Sequence, residues 1–294
     1  MFDLSICIVN WNVKELLNAC LVSIYKNTKD ISFEVIVVDN NSSDDSVQMV
    51  KKDFPQVKLI ANKTNAGFTK ANNQAIKISQ GRYIMLLNPD TEVTDNAMNK
   101  MIKFMESRRD CGALGCKLLN TDGTLQRSCR TFPSLEVMLY NALFLDSLLP
   151  KSRIFGKYFM TWWDFNETRE VDQPMGSALM IKKEVLAKVG LFDENIFIWF
   201  DEVDLCYRIK KAGWKIYFTP DIQIKHHLSR SFKQWKSFPQ IIKGAVIWRK
   251  SRNYFFRKHK GMLSVSVLLA LDILQVAIII SVLYTIAKIV LRGF

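Results

Sequence analysis

Four short, largely apolar runs alternate with helix-like stretches over the first 120 residues of the chain. The apolar runs, rich in Ile, Val and Leu, lie at 4–9, 34–39, 57–61 and 82–87. Runs of this length and composition predict strands that are buried on both faces and therefore run parallel. The stretches between them predict helices near 14–27, 43–53, 67–80 and 94–108. This alternation predicts a doubly wound, mostly parallel α/β sheet.

Polar residues follow all four predicted strands. The strand exits read Asn10-Trp11-Asn12, Asp39-Asn40-Asn41-Ser42, NKTNAGF at 62–68, and Asn88-Pro89-Asp90. Any one of them could be turn chemistry, because Asn, Asp and Ser favour turns and helix caps. Since ligands of open α/β sheets bind at the carboxyl ends of the strands, the four together predict one shared site at that edge.

The composition of these loops limits the kind of ligand. The loop after the first strand has no glycine, and no G-x-x-x-x-G-K-[ST] sequence occurs, which argues against dinucleotide-binding and P-loop enzymes. Side-chain amides and carboxylates remain as nucleotide ligands, with Asp39 able to accept from a base or ribose. Asp90 could bind Mg²⁺ or Mn²⁺, which would neutralise a departing diphosphate.

The stretch IFIWFDEVDLCYRIKKAGW at 196–214 places Asp201, Glu202 and Asp204 directly behind four bulky apolar residues. As a helix start, Asp201 would be the N-cap, Asp204 the third helical residue, and Asp204 would pair with Arg208 on the surface. As chemistry, a carboxylate beside aromatic surface loses hydration, which raises its pKa and suits a general base. The stretch alone leaves both interpretations open.

The net charge of +13 is concentrated in one segment. Residues 225–260 contain 11 Lys or Arg and no acid, so the rest of the chain carries only +2. The segment also contains aromatic residues, a mixture that fits RNA or an anionic bilayer surface. The six cysteines form no C-x-x-C pair, which predicts reduced, buried thiols.

A long apolar stretch follows this basic segment and favours the membrane over nucleic acid. Residues 262–287 contain a single charge, Asp272. As a helix they would span roughly 39 Å, enough for a hydrocarbon core of about 30 Å. The Lys and Arg residues lie on the amino-terminal side of this stretch. The positive-inside rule therefore predicts a single-pass protein whose amino-terminal domain, the predicted catalytic domain, lies in the cytosol. Asp272 and Gln275 share a helix face and predict a protein or lipid partner there. A helix buried in a homodimer remains the alternative.

Six stretches in order resemble the family 2 inverting glycosyltransferases of the GT-A fold, within them the rhamnosyltransferase-like branch of bacterial surface polysaccharide synthesis. They are SICIVNWN (5–12), VVDNNSSDDS (37–46), NAGFTKANNQAI (65–76), GRYIMLLNPDTEV (81–93), the stretch from GSALM to KKAGW (176–214), and IKHHLSRSF (224–232). Together they cover most of residues 4–232. The resemblance implies an enzyme of the hexosyltransferase type.

The resemblance also implies roles for individual positions. The residues implied to hold the nucleotide-sugar are Asn10, Trp11, Asn12, Asp39, Ser42, Asn65, Gly67, Asn72 and Asp90. Asp90 is the retained carboxylate of a D-x-D-like metal motif, and the metal-site histidine falls on His226 rather than His227. The motif departs from the family pattern in reading Asn88-Pro89-Asp90, which leaves one carboxylate and makes metal dependence less certain.

The acidic pair of the family falls on Asp201 and Glu202, with Glu202 expected as the base and Asp201 as the competing assignment. Trp199, Phe200 and Asp204 are expected at the acceptor. An inverting transfer needs such a base, because the acceptor hydroxyl loses its proton as it attacks the anomeric carbon in line.

These inferences predict three segments: a glycosyltransferase domain at 1–228, a basic aromatic membrane-surface segment at 229–261, and a transmembrane helix with a short tail at 262–294. The predicted reaction moves a sugar, rhamnose among the candidates, from a dTDP- or UDP-sugar to a polyprenyl-linked saccharide. Two alternatives remain: a degenerate nucleotide-sugar-binding membrane scaffold, and a sugar-nucleotide nucleotidyltransferase, which would need a glycine-rich basic loop after the first strand.

Overall fold

The computed structural model describes residues 2–227 and 238–292. The chain divides into two compact units, Met1–Cys129 with Phe165–Ser251, and Arg130–Asp164 with Arg252–Phe294. Residues 130–164 group with the C-terminal helices, and the division into three segments stays a prediction. The predicted boundary at 228, and residues 229–237 of the predicted basic segment, lie outside the described residues.

The helices and strands of the amino-terminal half alternate as predicted. They are β1 (Leu4–Asn10), α1 (Lys14–Asn27), β2 (Phe33–Asp39), α2 (Ser46–Asp53), β3 (Lys58–Ala61), α3 (Phe68–Ile78), β4 (Tyr83–Leu87), β5 (Thr91–Val93), α4 (Ala97–Ser107) and β6 (Cys111–Leu119). The four predicted strands and the four predicted helices of this half are all present, with boundaries that differ by at most three residues.

The remaining elements are shorter, apart from the last strand and the last three helices. They are β7 (Leu125–Gln126), β8 (Cys129–Arg130), α5 (Leu135–Ala142), α6 (Leu145–Leu148), β9 (Arg169–Glu170), β10 (Gln173–Pro174), β11 (Ala178–Lys182), α7 (Lys183–Val189), α8 (Asp201–Lys211), β12 (Lys215–His226), α9 (Phe238–Lys260) and α10 (Met262–Arg292).

The main sheet of the larger unit has the strand order β3-β2-β1-β4-β11-β6-β12-β5. The first four strands are parallel, with Asn10 paired to Asp39 and Ile8 to Leu87. The antiparallel strand β11 separates them from the parallel pair β6 and β12. The predicted doubly wound, mostly parallel sheet is therefore confirmed, with one reversed strand in its middle.

Burial explains why the apolar runs became central strands. Every residue of β1 and of β4 is buried, since both faces of the sheet are covered. The six cysteines are free and buried, as predicted. Because the parallel strands end at one edge, Asn10, Asp39 and the segment after Leu87 come together there.

The smaller unit contains α5, α6 and α10. Arg252, in the last part of α9, donates to the Asp272 carboxylate of α10 over 2.9 and 2.7 Å. Gln275 Nε2 donates to the Asn141 carbonyl of α5 over 3.3 Å. The partners expected for the Asp272 face are thus found within the same chain. Within the described residues, α10 is the one helix long and apolar enough to cross a membrane.

Candidate active site

The exits of β1 and β2 are joined by side-chain hydrogen bonds. Asn10 Nδ2 donates to Asp39 Oδ2 over 2.8 Å and to Ser42 Oγ over 3.2 Å. The backbone N–H of Ser42 donates to Asp39 Oδ1 over 2.8 Å. Asn10 and Asp39 are both buried. The three residues predicted to bind the nucleotide therefore share one network at the strand ends, where carboxylate and hydroxyl lone pairs are held in fixed positions.

Asn12 completes this loop in a left-handed backbone conformation, with φ 54°. Its N–H donates to Ser42 Oγ over 2.9 Å, and its Oδ1 accepts from the Ser43 N–H over 2.7 Å. Asn tolerates this conformation better than most residues, because its short polar side chain bonds locally. Trp11, between Asn10 and Asn12, is half-buried. Its predicted contact with the base stays a prediction.

Gly67 lies where no side chain fits. Its φ is +88°, and an added Cβ would lie 2.6 Å from the Phe197 ring. The next residue, Phe68, donates its N–H to the Phe197 carbonyl over 3.0 Å. Asn65 is exposed, and its Oδ1 accepts from the Gly67 N–H over 3.0 Å. Asn40, which was not predicted, donates to the Gly67 carbonyl over 3.1 Å. This loop therefore joins the β2 exit to the segment before α8.

Two neighbouring asparagines of α3 do different things. Asn72, a predicted sugar-site residue, is buried and donates to the Phe68 carbonyl of its own helix over 3.0 Å. Asn73 donates to the Phe192 carbonyl over 2.9 Å and to Glu194 over 3.0 Å. Its Oδ1 accepts from the Phe192 N–H over 3.0 Å. Asn73 thus fixes α3 to the segment that leads into α8, a role that the sequence analysis missed.

The structure brings His226 to Asp90. β12 pairs with β5 so that His226 lies opposite Thr91, and His226 Nε2 is 3.2 Å from Asp90 Oδ1. His227 turns instead to Glu92, with 2.6 Å between Nε2 and Oε1. Both members of the Asp90–His226 pair are buried. His226 is thus the histidine that lies beside Asp90, and its role as the metal-site histidine stays a prediction.

Gln126 fixes the orientation of the His226 ring, because its Oε1 is 2.6 Å from His226 Nδ1. An amide oxygen only accepts, so Nδ1 carries a proton, and Nε2 is the ring nitrogen that faces Asp90. This arrangement is typical of a metal-binding histidine. Among residues 2–227 and 238–288, three or more His, Cys, Asp or Glu side chains nowhere form a metal-binding group. The pair fits a cation only if substrate phosphates supply further ligands.

The predicted N-cap at Asp201 is wrong. α8 begins with Asp201 as its first helical residue, and the cap is Phe200, in a left-handed conformation with φ 62°. The Phe200 carbonyl accepts from the Asp204 N–H over 2.9 Å. Trp199 is also left-handed, with φ 60°. Two successive left-handed aromatic residues, which propensity disfavours, turn the chain sharply into the helix.

Burial separates the two acids of the pair. Asp201 is 3 % exposed, and burial together with the charge of Glu202 raises the pKa of its carboxyl well above its ordinary value. A side-chain hydrogen bond joins the two carboxyl groups. When Asp201 is protonated, it donates in that bond and adds no charge beside Glu202. The rise in pKa expected in this stretch falls on Asp201.

Glu202 is half-buried and faces the sheet edge. Its Oε1 accepts from Gln173 Nε2 over 3.3 Å. Its Cβ lies 3.5 Å from the point that a Cβ on Gly176 would occupy. The neighbouring Ser177 accepts, through its carbonyl, from the Asn88 N–H over 2.9 Å. Residues 176–177 therefore lie between Glu202 and the segment that carries Asp90.

Two of the residues predicted at the acceptor are buried and packed in the interior, and an acceptor role for them stays a prediction. Asp204 is fully buried, and its Oδ2 accepts from Arg208 Nε over 2.8 Å, so the expected pair exists in the interior and not on the surface. Phe200 is buried with its ring 5.8 Å from that of Trp248. Both residues hold α8 in place. Trp199 is half-buried, and its contact with the acceptor also stays a prediction.

Comparison with known proteins identifies the class of protein to which the chain belongs. The family profile "Glycosyl transferase family 2" matches residues 5–165, more than half of the chain. The chain therefore belongs to glycosyl transferase family 2 and is a glycosyltransferase. The predicted family and enzyme class are confirmed.

Curated relatives and a solved structure extend this likeness. An N-acetylglucosaminyl-diphospho-decaprenol L-rhamnosyltransferase of Mycobacterium tuberculosis is 27 % identical over 208 residues, 67 % of each chain. Rhamnosyltransferase WbbL of Escherichia coli is 25 % identical over 219 residues, 70 % of this chain and 78 % of that one. A mannosyltransferase from Pyrobaculum calidifontis, in complex with GDP-Man and Mn²⁺, has a TM-score of 0.53 at 16 % identity, covering 99 % and 81 %. The GT-A fold is confirmed.

Proposed function

We propose that the chain is an inverting, membrane-anchored glycosyltransferase that moves rhamnose from a dTDP- or UDP-sugar to a hydroxyl of a polyprenyl-linked saccharide. One observation carries the catalytic part. Glu202 is half-buried, and its Cβ lies beside Gly176, whose neighbour Ser177 accepts a hydrogen bond from the Asn88–Asp90 segment at the sheet edge. The proposed base Glu202, the Asp90–His226 pair and the loops proposed to bind the nucleotide therefore belong to the same edge of the sheet.

Glu202 acts as the base. In the transfer, the acceptor oxygen forms a bond to the anomeric carbon while the bond from that carbon to the diphosphate breaks on the opposite face. The acceptor proton goes to Glu202, and the nucleoside diphosphate leaves with the electron pair. The raised pKa of Asp201 favours its protonated form, which donates to Glu202 and adds no charge beside it. Gln173 supplies a second donor, which fixes the direction of the carboxylate.

The nucleotide occupies the exits of β1 and β2. Asp39 and Ser42 offer acceptors to the base and ribose, and Trp11 offers its ring face. Asp90 and His226 would hold a divalent cation, Mg²⁺ or Mn²⁺, whose chemistry is to neutralise the departing diphosphate. The Mn²⁺ of the solved mannosyltransferase supports this cofactor. Gln126 keeps the His226 ring in the orientation that such a ligand needs.

The relatives support the substrates and the place in the cell. The mycobacterial relative is named for rhamnosyl transfer to a decaprenol-linked N-acetylglucosaminyl diphosphate, which supports a lipid-linked acceptor in polysaccharide synthesis. α10 supports attachment to the cell membrane. The Lys and Arg residues that precede it support a cytoplasmic catalytic domain through the positive-inside rule.

The proposal is tested with the full-length protein in detergent and a set of UDP-, dTDP- and GDP-sugars. We expect saturable binding of one nucleotide-sugar in the presence of Mn²⁺, and transfer of its sugar to a polyprenyl-diphosphate saccharide with inversion. Transfer with retention would contradict the role of Glu202. Binding without turnover on any lipid-linked saccharide would favour the nucleotide-sugar-binding scaffold instead.

A further inference from the structure

Residues 147–163, here called the insert surface, expose large apolar side chains. Leu148 is 71 % exposed, Leu149 50 %, Ile154 57 % and Phe159 38 %. Single exposed leucines are common, but four large exposed apolar residues within twelve positions are a concentration that water-facing segments rarely carry. All four belong to the smaller unit of the chain.

The insert surface is held in one conformation by internal bonds. The Gly156 N–H donates to the Ser152 carbonyl over 2.8 Å, and the Thr131 N–H donates to the Tyr158 carbonyl over 3.0 Å. The rings of Tyr140 and Phe155 pack edge to face with centroids 5.0 Å apart. The apolar side chains therefore project from ordered turns, and their exposure is a property of the fold.

Charge on this surface has one sign. Between Ser147 and Trp163 there are three cations and no acid. Lys151 and Arg153 are exposed, and the Arg153 guanidinium lies 5.3 Å from the centre of the Trp162 ring. Lys157 is partly engaged by Glu136 at 3.4 Å. Apolar residues mixed with Lys, Arg and Trp are typical of segments that lie in the headgroup region of an anionic bilayer.

The insert surface is also continuous with the candidate membrane span. α5, which leads into it, packs against α10 through the hydrogen bond from Gln275 to the Asn141 carbonyl. Gln275 lies 13 residues after Met262, or roughly 20 Å along the helix, while a hydrocarbon core is about 30 Å thick. A bilayer that receives α10 therefore comes close to the residues that follow Asn141.

We propose that the insert surface is a second membrane contact, in which Leu148, Leu149, Ile154 and Phe159 enter the bilayer and Lys151 and Arg153 meet anionic headgroups. Its occupant is lipid. The proposal rests on the membrane attachment of α10 proposed above. Two contacts would restrict rotation of the smaller unit about α10, so this unit would lie in one orientation on the membrane.

The test places an environment-sensitive, thiol-reactive fluorophore on full-length protein in phosphatidylglycerol vesicles that contain doxyl-labelled lipid. Labels at Leu148→Cys and Ile154→Cys probe the insert surface. Ile280→Cys probes α10, and Lys51→Cys on α2 gives the reference. Burial raises the pKa of all six native thiols, so labelling selects the introduced cysteine.

We expect doxyl quenching at Leu148 and Ile154 to exceed that at Lys51 by at least about twofold. The additional substitutions Lys151→Glu and Arg153→Glu should lower the quenching at Leu148 towards the Lys51 value. Quenching at Ile280 but not at Leu148 would overturn the proposal and leave the α10 anchor intact. Absence of quenching at Ile280 as well would overturn the membrane attachment. A blue-shifted but unquenched label at Leu148 would indicate a covering protein, such as a second copy, and would also overturn it.

Discussion

At the scale of single residues, the acidic pair at the start of α8 makes the sharpest prediction. Glu202→Gln keeps the shape of the side chain and its hydrogen bond to Gln173, but it removes the group that accepts a proton. We expect turnover to fall by roughly 10²–10⁴-fold while donor affinity and thermal stability stay near those of the wild type. Transfer rates and nucleotide-sugar binding measured on the same preparation give both quantities.

Asp201→Asn is the matched control, because an asparagine donates to Glu202 as the protonated Asp201 does. We expect this variant to keep most of the activity. If instead Asp201→Asn inactivates the enzyme and Glu202→Gln does not, Asp201 is the base and the assignment is reversed.

Asp201 also makes the stability of the wild type depend on pH, with the opposite sign to an acid whose pKa is lowered in the folded protein. The folded-state pKa of Asp201 is raised, so above the ordinary value of 3.8 the unfolded chain releases a proton that the folded chain keeps. The wild type therefore loses stability as the pH rises from that value towards the folded pKa. The Asp201→Asn variant has no carboxyl group at this position, so it does not lose this stability as the pH rises. Melting temperatures measured from pH 4 upward should shift in favour of the variant, and a constant difference would contradict the raised pKa.

His226 and His227 form a natural pair of variants for the metal. His226→Gln removes the ring that lies 3.2 Å from Asp90, whereas His227→Gln changes a partner of Glu92. We expect His226→Gln to weaken Mn²⁺-dependent nucleotide binding by at least about tenfold, and His227→Gln to leave it near normal. Calorimetric titration with and without Mn²⁺ gives the comparison. Wild-type activity that persists in excess EDTA would contradict the cation.

The site residues that could be predicted from the sequence are those whose signal is local. Asn10 and Asp39 could be predicted because each ends an apolar run, and parallel strands bring such ends together. Asn73, Gln126 and Gln173 were missed because their partners lie 119, 100 and 29 positions away, and nothing in the local pattern marks them. The error at the α8 cap has a local cause: a left-handed Phe200 is a conformation that propensity argues against.

At the scale of secondary structure, the long elements could be predicted and the short ones could not. β1, β2 and β4 are buried on both faces, so each corresponds to a largely apolar run in the sequence. β7 to β10 have two residues each, too few for any period to show. Their positions are set by the strands they meet, so tertiary structure decides them.

The hairpin of α9 and α10 depends on an ion pair that can be tested. Arg252 is almost fully buried, with 5 % of its side chain exposed, and Asp272 has 19 %. Arg252→Leu removes the guanidinium that binds the mostly buried Asp272 carboxylate and should destabilise the folded protein by about 3–5 kcal/mol. Adding Asp272→Leu should restore most of the loss. Thermal unfolding in detergent gives the measurement. Equal stability of wild type and single variant would show that the pair contributes little.

At the scale of the whole molecule, two forces hold the protein to a membrane, and they respond differently to salt. α10 partitions by apolar burial, which salt barely affects. α9 carries seven Lys or Arg and no acid, and the six other than the buried, ion-paired Arg252 attract an anionic surface by about 1 kcal/mol each. This attraction is screened within a Debye length of about 10 Å at 0.1 M salt. A protein held by an apolar helix and an adjacent basic helix should therefore leave the membrane in two separable steps.

A variant that removes the apolar force while leaving the hairpin intact separates these steps. Ile280 and Leu283 are 61 % and 60 % exposed, so Ile280→Asp with Leu283→Asp disturbs no internal packing, yet each charge costs about 2.5–3.5 kcal/mol in a bilayer. We expect the wild type to sediment with membranes in carbonate and in high salt. The double variant should bind phosphatidylglycerol vesicles at low salt, through α9 and the insert surface, and leave them as the salt concentration rises. Neutral vesicles should hold it only weakly. Release of the wild type by carbonate would show that α10 does not enter the bilayer, and a homodimer that buries this helix would then account for its apolar surface.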